Sequence, residues 1–282
     1  MNIRYGDRLR QVIREREVLP FIGVYDVFSA SIAARHYDAL FVSGFSFAAS
    51  HYGLPDIGFI SWSDIVAFVQ RVRSILPGHH LLVDVDDGYG DPEVACHVVS
   101  LLESIGASAV VMEDQKRPRR CGHFEGKQLL ELPEYLLKLK KVLSTRNNLF
   151  VIARTDASQP EDILTRVEAF AKAGADAVLV DGLRDPALLA ELRKRVDKPL
   201  VFNQIMGGKS PACTLHELAE WGVQLVIYST PCLFAAQSAL ETAMQSLREN
   251  DGDLRKISPA GVTVKCCNSL LQENLLARDR NE

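Results

Sequence analysis

The stretch HLLVDVDDGYG at residues 80–90 begins as a compact apolar run and ends in aspartates and a glycine-rich turn. A helical stripe follows, made of Val94, Val98, Leu101, Leu102 and Ile105. Gly106 closes it, and a second apolar run, SAVVMED at 108–114, also ends in acidic residues. Apolar residues three and four apart share one face of a helix. The flanking runs are short and rich in Val and Leu, as strands buried on both faces are. The pattern is therefore one strand–helix–strand unit, with polar residues where each strand ends.

The same unit recurs along the chain in both directions. Further runs are PFIGVYD (20–26), ALFVSG (39–44), LFVIARTD (149–156), AVLVDG (177–182), PLVFNQ (199–204) and LVIYS (225–229), which brings the strands to eight. Ile163, Val167, Phe170 and Ala171 form another helical stripe, and Gly174 reads as the C-cap that ends it. Gly106 and Gly222 stand in the same place before strands four and eight. Eight alternations predict a parallel (β/α)8 barrel, an α/β fold. A doubly wound open sheet is the alternative, because a linear pattern does not show closure. The whole span 1–282 reads as one barrel domain, with 232–282 a C-terminal helical extension. That extension has helical patterns at 232–249 and 266–278, interrupted by Asp251 and Gly252.

Bulk properties agree with this reading. A chain of 282 residues suits one such barrel, which takes about 250 residues. The net charge of −4 argues against a general nucleic-acid partner. No apolar run approaches the roughly 18 residues of a membrane span. Met1 to Arg10 is polar and lacks the apolar centre of a signal peptide. The six cysteines form no CxxC pair, so a cytoplasmic chain with free thiols is expected.

Polar residues crowd the strand ends: Tyr25-Asp26, Ser43-Gly44, Asp84 with Asp86 and Asp87, Glu113-Asp114-Gln115, Arg154-Thr155-Asp156, Asp181, and Asn203-Gln204. In a barrel these ends share one mouth, where active sites lie. Residues two apart on a strand point the same way, so Asp84 and Asp86 should face the mouth beside Glu113. Carboxylates about 4 Å apart repel by about 1 kcal/mol even in water. A hard dication such as Mg²⁺ would compensate, taking carboxylate and substrate oxygens. The alternative is that one aspartate, Asp87 for example, caps the next helix and another pairs with Arg154. Arg154 suits a substrate carboxylate or phosphate, and equally a structural pairing with Glu113 or Asp156. No GxGxxG or Walker A pattern is present, and Gly207-Gly208-Lys209-Ser210 reads as a flexible turn. The segment KRPRRCGHFEGK at 116–127 should be a loop. In it Cys121 neighbours Arg119, Arg120 and His123, a setting expected to favour thiolate. The other five cysteines, with His51, His97 and His216, are read without a task.

Taken in order, these landmarks resemble the isocitrate lyase/phosphoenolpyruvate mutase superfamily. They are Tyr25-Asp26, Ser43-Gly44, Gly-Leu-Pro-Asp (53–56), Asp-Val-Asp-Asp-Gly-Tyr-Gly (84–90), Glu-Asp-Gln (113–115), Arg-Cys-Gly-His (120–123), Ala-Arg-Thr-Asp-Ala (153–157) and Gly-Gly-Lys-Ser-Pro (207–211). The likeness runs from about Val18 to about Ala239. It points to the branch of methylisocitrate lyase, dimethylmalate lyase and carboxyphosphonoenolpyruvate mutase.

The resemblance implies a homotetramer, a dimer of dimers, whose last helix swaps between neighbours. It implies Mg²⁺, or Mn²⁺, near Asp56, Asp84, Asp86 and Glu113. It implies that Tyr25, Ser43, Gly44, Phe45 and Arg154 hold a 2-oxo acid or its enolate, with Arg120, Gly122, Asn203 and Asp181 around it. Cys121 would protonate the departing carbon, with His123 beside it in the catalytic loop. The chain departs from the family in having Arg119 for a lysine, Met206 for a glutamate and Asp181 for a glutamate. Arginine keeps its proton and cannot serve as a base.

The leading expectation is a Mg²⁺-dependent carbon–carbon lyase. It would cleave a small 2-hydroxy di- or tricarboxylate of the 2-methylisocitrate or alkylmalate kind to a 2-oxo acid. An oxaloacetate-type hydrolase or decarboxylase, or a phosphonate mutase or hydrolase, would use the same site. A barrel without catalysis is the third reading.

Overall fold

The computed structural model describes residues 4–257 and 262–279. Among these, β1 (Leu19–Val24), β2 (Ala39–Val42), β3 (His80–Asp84), β4 (Ala109–Glu113), β5 (Phe150–Thr155), β6 (Ala177–Val180), β7 (Leu200–Gln204) and β8 (Val223–Tyr228) pair in chain order. Every pairing is parallel, and β8 closes on β1. The open-sheet alternative is thereby excluded. Each strand coincides with one of the apolar runs, because such runs bury both faces, though β1 begins one residue and β8 two residues before its run.

The two faces of the strands form two cores. Inside the barrel, Phe21, Phe41, Leu82, Val111, Phe150, Ile152, Leu179, Val201 and Ile227 belong to one buried cluster. Helix α1 (Tyr5–Glu15) closes one end, with Leu9 and Ile13 in the same cluster. Outside, alternate residues such as Val24, Leu40, Val83 and Val151 meet the surrounding helices in a second cluster. These are α2 (Val27–Ala33), α4 (Trp62–Ile75), α5 (Pro92–Ser104), α6 (Leu132–Thr145), α7 (Pro160–Ala173), α8 (Ala187–Arg195) and α9 (Leu215–Glu220); the short α3 (Gly44–Phe47) follows β2.

The helical stripes behave as periodicity dictates. Val98 and Leu102 of α5 and Ile163, Val167 and Phe170 of α7 are buried. Gly106, Gly174 and Gly222 take φ of 92°, 103° and 75°, a left-handed turn that returns the chain to the next strand. One expected cap is misplaced. Asp91, not Asp87, accepts from Val94 N at the start of α5.

Beyond β8 run α10 (Pro231–Glu249) and α11 (Val264–Asp279), close to the expected 232–249 and 266–278. No residue of α10 is buried. In the single chain α11 lies against α4 of its own barrel, with Leu270 buried and Asn274 Nδ2 donating to Ser31 Oγ at 2.8 Å. Among the described residues no helix is long and apolar enough to cross a membrane.

Leu9 is fully buried where α1 plugs the barrel. Leu9→Ala should lower the unfolding free energy by about 2–5 kcal/mol in a denaturant titration. A loss under about 0.5 kcal/mol, the scale of an ordinary surface change, would show that α1 is not a structural plug.

Candidate active site

The inner face of the barrel does not stop at its apolar layers. Two residues beyond Phe41 stands Ser43; beyond Leu82, Asp84; beyond Val111, Glu113; beyond Ile152, Arg154. Asp181 follows Leu179, Asn203 follows Val201, and Ser229 follows Ile227. The period of two carries one column of each of these strands from core to mouth. Ser43, Asp84, Arg154, Asp181, Asn203 and Ser229, with Phe45, Asp56, Cys121, Gly122 and His123, line a cavity of about 20 Å³. That is room for about one water, so the site is closed.

Its electrostatics turn on two buried arginines. Arg119 Nε donates to Glu113 Oε1 at 2.8 Å, and its Nη1 lies 3.2 Å from Asp86 Oδ1 and donates to Asp56 Oδ1. Burial acts to lower the Arg119 pKa, but Asp86, Glu113 and Asp56 more than offset it, so the guanidinium stays charged. Arg154 forks onto Asp156, with Nε to Oδ2 and Nη2 to Oδ1 both 3.0 Å. Its Nη2 also lies 2.8 Å from Asp181 Oδ2 and 3.1 Å from Glu113 Oε2.

The carboxylates still outnumber the cations. Burial pushes Asp84 up, Asp86 well up and Glu113 up to about 7, against the pull of the arginines. Asp86 Oδ2 and Glu113 Oε2 are buried without a hydrogen-bond partner. A buried, acceptor-rich, under-compensated cluster of hard oxygens fits a dication. The spacing does not yet serve one. Among the described residues no three His, Cys, Asp or Glu side chains converge to hold a metal, and Arg119 stands between Asp56, Asp86 and Glu113.

Asp86 is not on β3, which ends at Asp84. It sits in the following turn at φ 50°, and its N–H donates to Asp84 Oδ1 at 3.2 Å. The two aspartates still share a neighbourhood: a Cβ on Gly44 would lie 2.9 Å from Asp84 Oδ2 and 3.6 Å from Asp86 Oδ1. Asp87 turns away and takes Arg117 in a fork, at 3.0 and 2.7 Å.

The segment 116–127 is a loop, as its composition dictates, and it is tied down on three sides. Gln115 Nε2 donates to Arg120 O at 2.7 Å, and Gln115 Oε1 accepts from Arg120 N at 2.9 Å. Lys209 N donates to His123 Nδ1 at 2.9 Å, while Lys209 Nζ reaches Phe124 O at 3.1 Å. Lys127 Nζ bridges Gly122 O and Asp156. Gly122 is wedged into the site, where a Cβ would come within 1.8 Å of Asp181 Oδ2 and 2.6 Å of Arg154 Nη2.

This closure reverses one expectation. Cys121 is 6% exposed, and burial pushes its thiol up to about 12, with Asp56 acting the same way. The neighbouring arginines do not favour thiolate, because Arg119 is spent on carboxylates and Arg120 points out to solvent. Cys121 is a neutral thiol and so a proton donor. Alternation along the loop sends Arg119 and Cys121 inward and Arg120 outward, so Arg120 does not line the cavity. Nor does Tyr25, half-buried beyond β1, whose hydroxyl is raised by burial and then by Asp26. Met206 is 86% exposed and borders an apolar groove with Ile205, Tyr228 and Phe234 rather than the cavity itself.

His123 faces Asp181 through Nε2, 3.7 Å from Oδ1. Because Nδ1 accepts from Lys209 N, the ring proton is assigned to Nε2. Asn203 Nδ2 donates to Asp181 Oδ1 at 2.7 Å, and Ser229 Oγ donates to Asn203 Oδ1 at 2.7 Å. Burial raises Asp181, but Arg154, His123 and Asn203 hold it far below the usual carboxylate range.

Sequence reasoning missed Ser229, Lys127 and Lys209, while the pairing of Arg154 with Glu113 and Asp156 that it allowed is present. The rule of two along β8 flags Ser229. For Lys127 and Lys209, the clamps of the loop, no sequence signal exists. The turn at 207–210 is thus a loop anchor, and Gly208 packs directly on His123.

Over residues 9–248 the chain matches the family model described as phosphoenolpyruvate phosphomutase. It is 32% identical over 277 residues to the chloroplastic carboxyvinyl-carboxyphosphonate phosphorylmutase of Arabidopsis thaliana, covering 95% of this chain and 81% of that protein. It is 30% identical over 283 residues to the 2-methylisocitrate lyase of Halalkalibacterium halodurans, covering 98% and 93%. A crystal structure of 2,3-dimethylmalate lyase superposes with a TM-score of 0.91 at 26% identity, over 100% of this chain and 96% of that one.

Burial disfavours the Cys121 thiolate, so alkylation of this residue by iodoacetamide, followed peptide by peptide, should rise with pH without levelling off up to about pH 10. An inflection near the ordinary cysteine pKa of about 8.5 would contradict the closed, neutral thiol. Gly122→Ala, which forces the loop off Asp181, should speed Cys121 alkylation several-fold.

Proposed function

Because the chain belongs to the phosphoenolpyruvate phosphomutase family, we propose that it is a carbon–carbon lyase acting on a small 2-hydroxy di- or tricarboxylate of the 2-methylisocitrate or alkylmalate type. The observation that carries the reading is Cys121, a protonated thiol aimed into a closed cavity it shares with Arg154, Asp84 and Ser43. A lyase must quench the carbanion it releases, and a neutral acid sealed from water does so without competition from solvent.

The substrate hydroxyl passes its proton to a carboxylate of the mouth and becomes the carbonyl of a 2-oxo acid, and that proton restores the Cys121 thiol once the products leave. The electron pair of the adjacent carbon–carbon bond leaves with the departing carbon, which takes the proton of Cys121. Arg154 would exchange part of its hold on Asp156, Asp181 and Glu113 for a substrate carboxylate, since its fork geometry suits both. Ser43, which also caps α3 by accepting from Ser46 N at 3.2 Å, would donate to the same ligand, with Gly44 and Phe45 beside it. Asp181 fixes Asn203 and faces His123, which presents an N–H to the cavity. Asp84, Asp86, Glu113 and Asp56 would hold Mg²⁺ or Mn²⁺, which when bound supplies positive charge against the oxygen that becomes negative. Opening of the 116–127 loop would admit the substrate, and its return would exclude water.

Two other readings are weaker. A phosphonate substrate gained support from the basic loop, yet Arg117 and Arg119 are both engaged by carboxylates. A barrel without catalysis does not account for Cys121, Arg154 and Asp84 meeting in one cavity. For the assembly we propose a homotetramer with exchange of the C-terminal extension. The support is α10, none of whose residues is fully buried, while Leu240 and Met244 stand 60% and 57% exposed. Sedimentation should give four chains; a monomer would remove this part.

The direct test is 2-oxo acid release from a panel of isocitrate, 2-methylisocitrate, alkylated malates, oxaloacetate and phosphonopyruvate, with and without Mg²⁺. Metal-dependent release from a branched hydroxy-diacid is expected. Turnover of oxaloacetate or phosphonopyruvate alone would replace the lyase with a hydrolase or mutase. Cys121→Ser should cut turnover about 10²–10⁴-fold without altering the unfolding midpoint, the scale of a lost general acid. Full activity in that variant would remove Cys121 from the mechanism.

A further inference from the structure

The carboxylates proposed to hold a dication already hold a cation of the chain's own. Arg119 is 1% exposed, and its guanidinium lies among Asp56, Asp86 and Glu113, three of those four side chains. Its contacts to Glu113 and Asp86 are 2.8 and 3.2 Å. Mg²⁺ draws oxygens to about 2.0–2.1 Å in an octahedron. Oxygens spread around a planar guanidinium cannot take up that arrangement, which accounts for the failure of these residues to converge. The fit of Arg119 is also incomplete. Asp86 Oδ2 stays buried without a hydrogen-bond partner, and Glu113 Oε2 meets no donor in hydrogen-bond geometry, only the Arg154 guanidinium at 3.1 Å, so Arg119 by itself leaves the nest under-filled.

We propose that Arg119 is a displaceable internal counter-ion: it holds Asp56, Asp86 and Glu113 in the metal-free protein, and a dication enters only as Arg119 withdraws. The inference rests on the metal reading of the same carboxylates given above. Arginine suits the task because its fork contacts several carboxylates at once, whereas a lysine offers one compact charge.

The exchange is coupled to the catalytic loop by the chain itself. Arg119 is two residues from Cys121, whose N–H donates to Asp56 O at 3.2 Å, and three from Gly122, which is wedged against Asp181 and Arg154. Withdrawal of the Arg119 side chain loosens the segment that seals the cavity. The metal-free protein therefore rests shut and blocks its own mouth. Loading of the metal and unsealing of Cys121 are two sides of one equilibrium.

The test uses Mn²⁺ as the probe and needs no turnover. Free Mn²⁺ is followed by electron paramagnetic resonance for the full-length protein and for Arg119→Met at fixed ionic strength. Cys121 alkylation in the unaltered protein is followed with and without saturating Mn²⁺. Removing the competing charge should tighten Mn²⁺ binding at least about tenfold, with Arg119→Lys in between. Mn²⁺ should speed Cys121 alkylation several-fold. Equal affinities for the protein and Arg119→Met, or Cys121 still protected at saturation, would overturn the proposal and leave the metal reading standing. No Mn²⁺ uptake by either protein would remove both. Should Arg119→Met not fold, the alkylation measurement on the unaltered protein decides alone.

Discussion

Six carboxylates, Asp56, Asp84, Asp86, Glu113, Asp156 and Asp181, are buried at one end of the barrel, and their repulsion governs everything built there. Two charges 4 Å apart interact by about 4 kcal/mol at the effective dielectric of a protein surface. Such a cluster persists only with cations or protons inside it. Arg119 and Arg154, with Lys127 on Asp156, supply the cations, and the raised pKa values of Asp86 and Glu113 supply the readiness to take protons. Neither is complete, since Asp86 Oδ2 has no hydrogen-bond partner and Glu113 Oε2 has only its ion pair with Arg154. The structure tolerates this strain because the barrel below is a filled, rigid core that fixes where each strand ends.

That rigidity has a simple origin. The same alternation that sends Phe41, Leu82, Val111, Ile152 and Leu179 into the barrel sends Ser43, Asp84, Glu113, Arg154 and Asp181 to its mouth. Stability and chemistry thus lie on one set of columns, separated only by height. Changes in the lower layers cost packing; changes at the top alter charge while leaving the fold in place. The loop between β4 and α6 adds what the strands cannot, a lid whose inward residues alternate with outward ones.

The sequence made the barrel legible because eight buried parallel strands and the helices between them leave unmistakable periods. The strand-end column was legible for the same reason, and it delivered Ser43, Asp84, Glu113, Arg154, Asp181 and Asn203. What escaped depends on contacts distant in sequence. Lys209 clamps His123 across 86 residues, and no local pattern records that. Asp86 was expected on a strand and lies in a turn, because β3 stops when Gly88 and Gly90 release the chain. The basic look of the loop also misled. Charge counted along a sequence ignores the acids each arginine meets in space, and here Asp87 and the carboxylate nest absorb Arg117 and Arg119.

Cys121 shows how far that distinction reaches. Flanked in sequence by arginines and a histidine, it has the neighbours of a reactive thiolate. Placed in space, it faces Asp56 and Asp181 in a cavity with room for about one water, and both desolvation and those charges hold its proton in place. A thiolate there would add one more negative charge to a cluster that already lacks compensation. The excess acidity of the mouth therefore does two things at once. It creates the demand for a cation, and it keeps the thiol an acid until a reaction places a more basic carbon beside it.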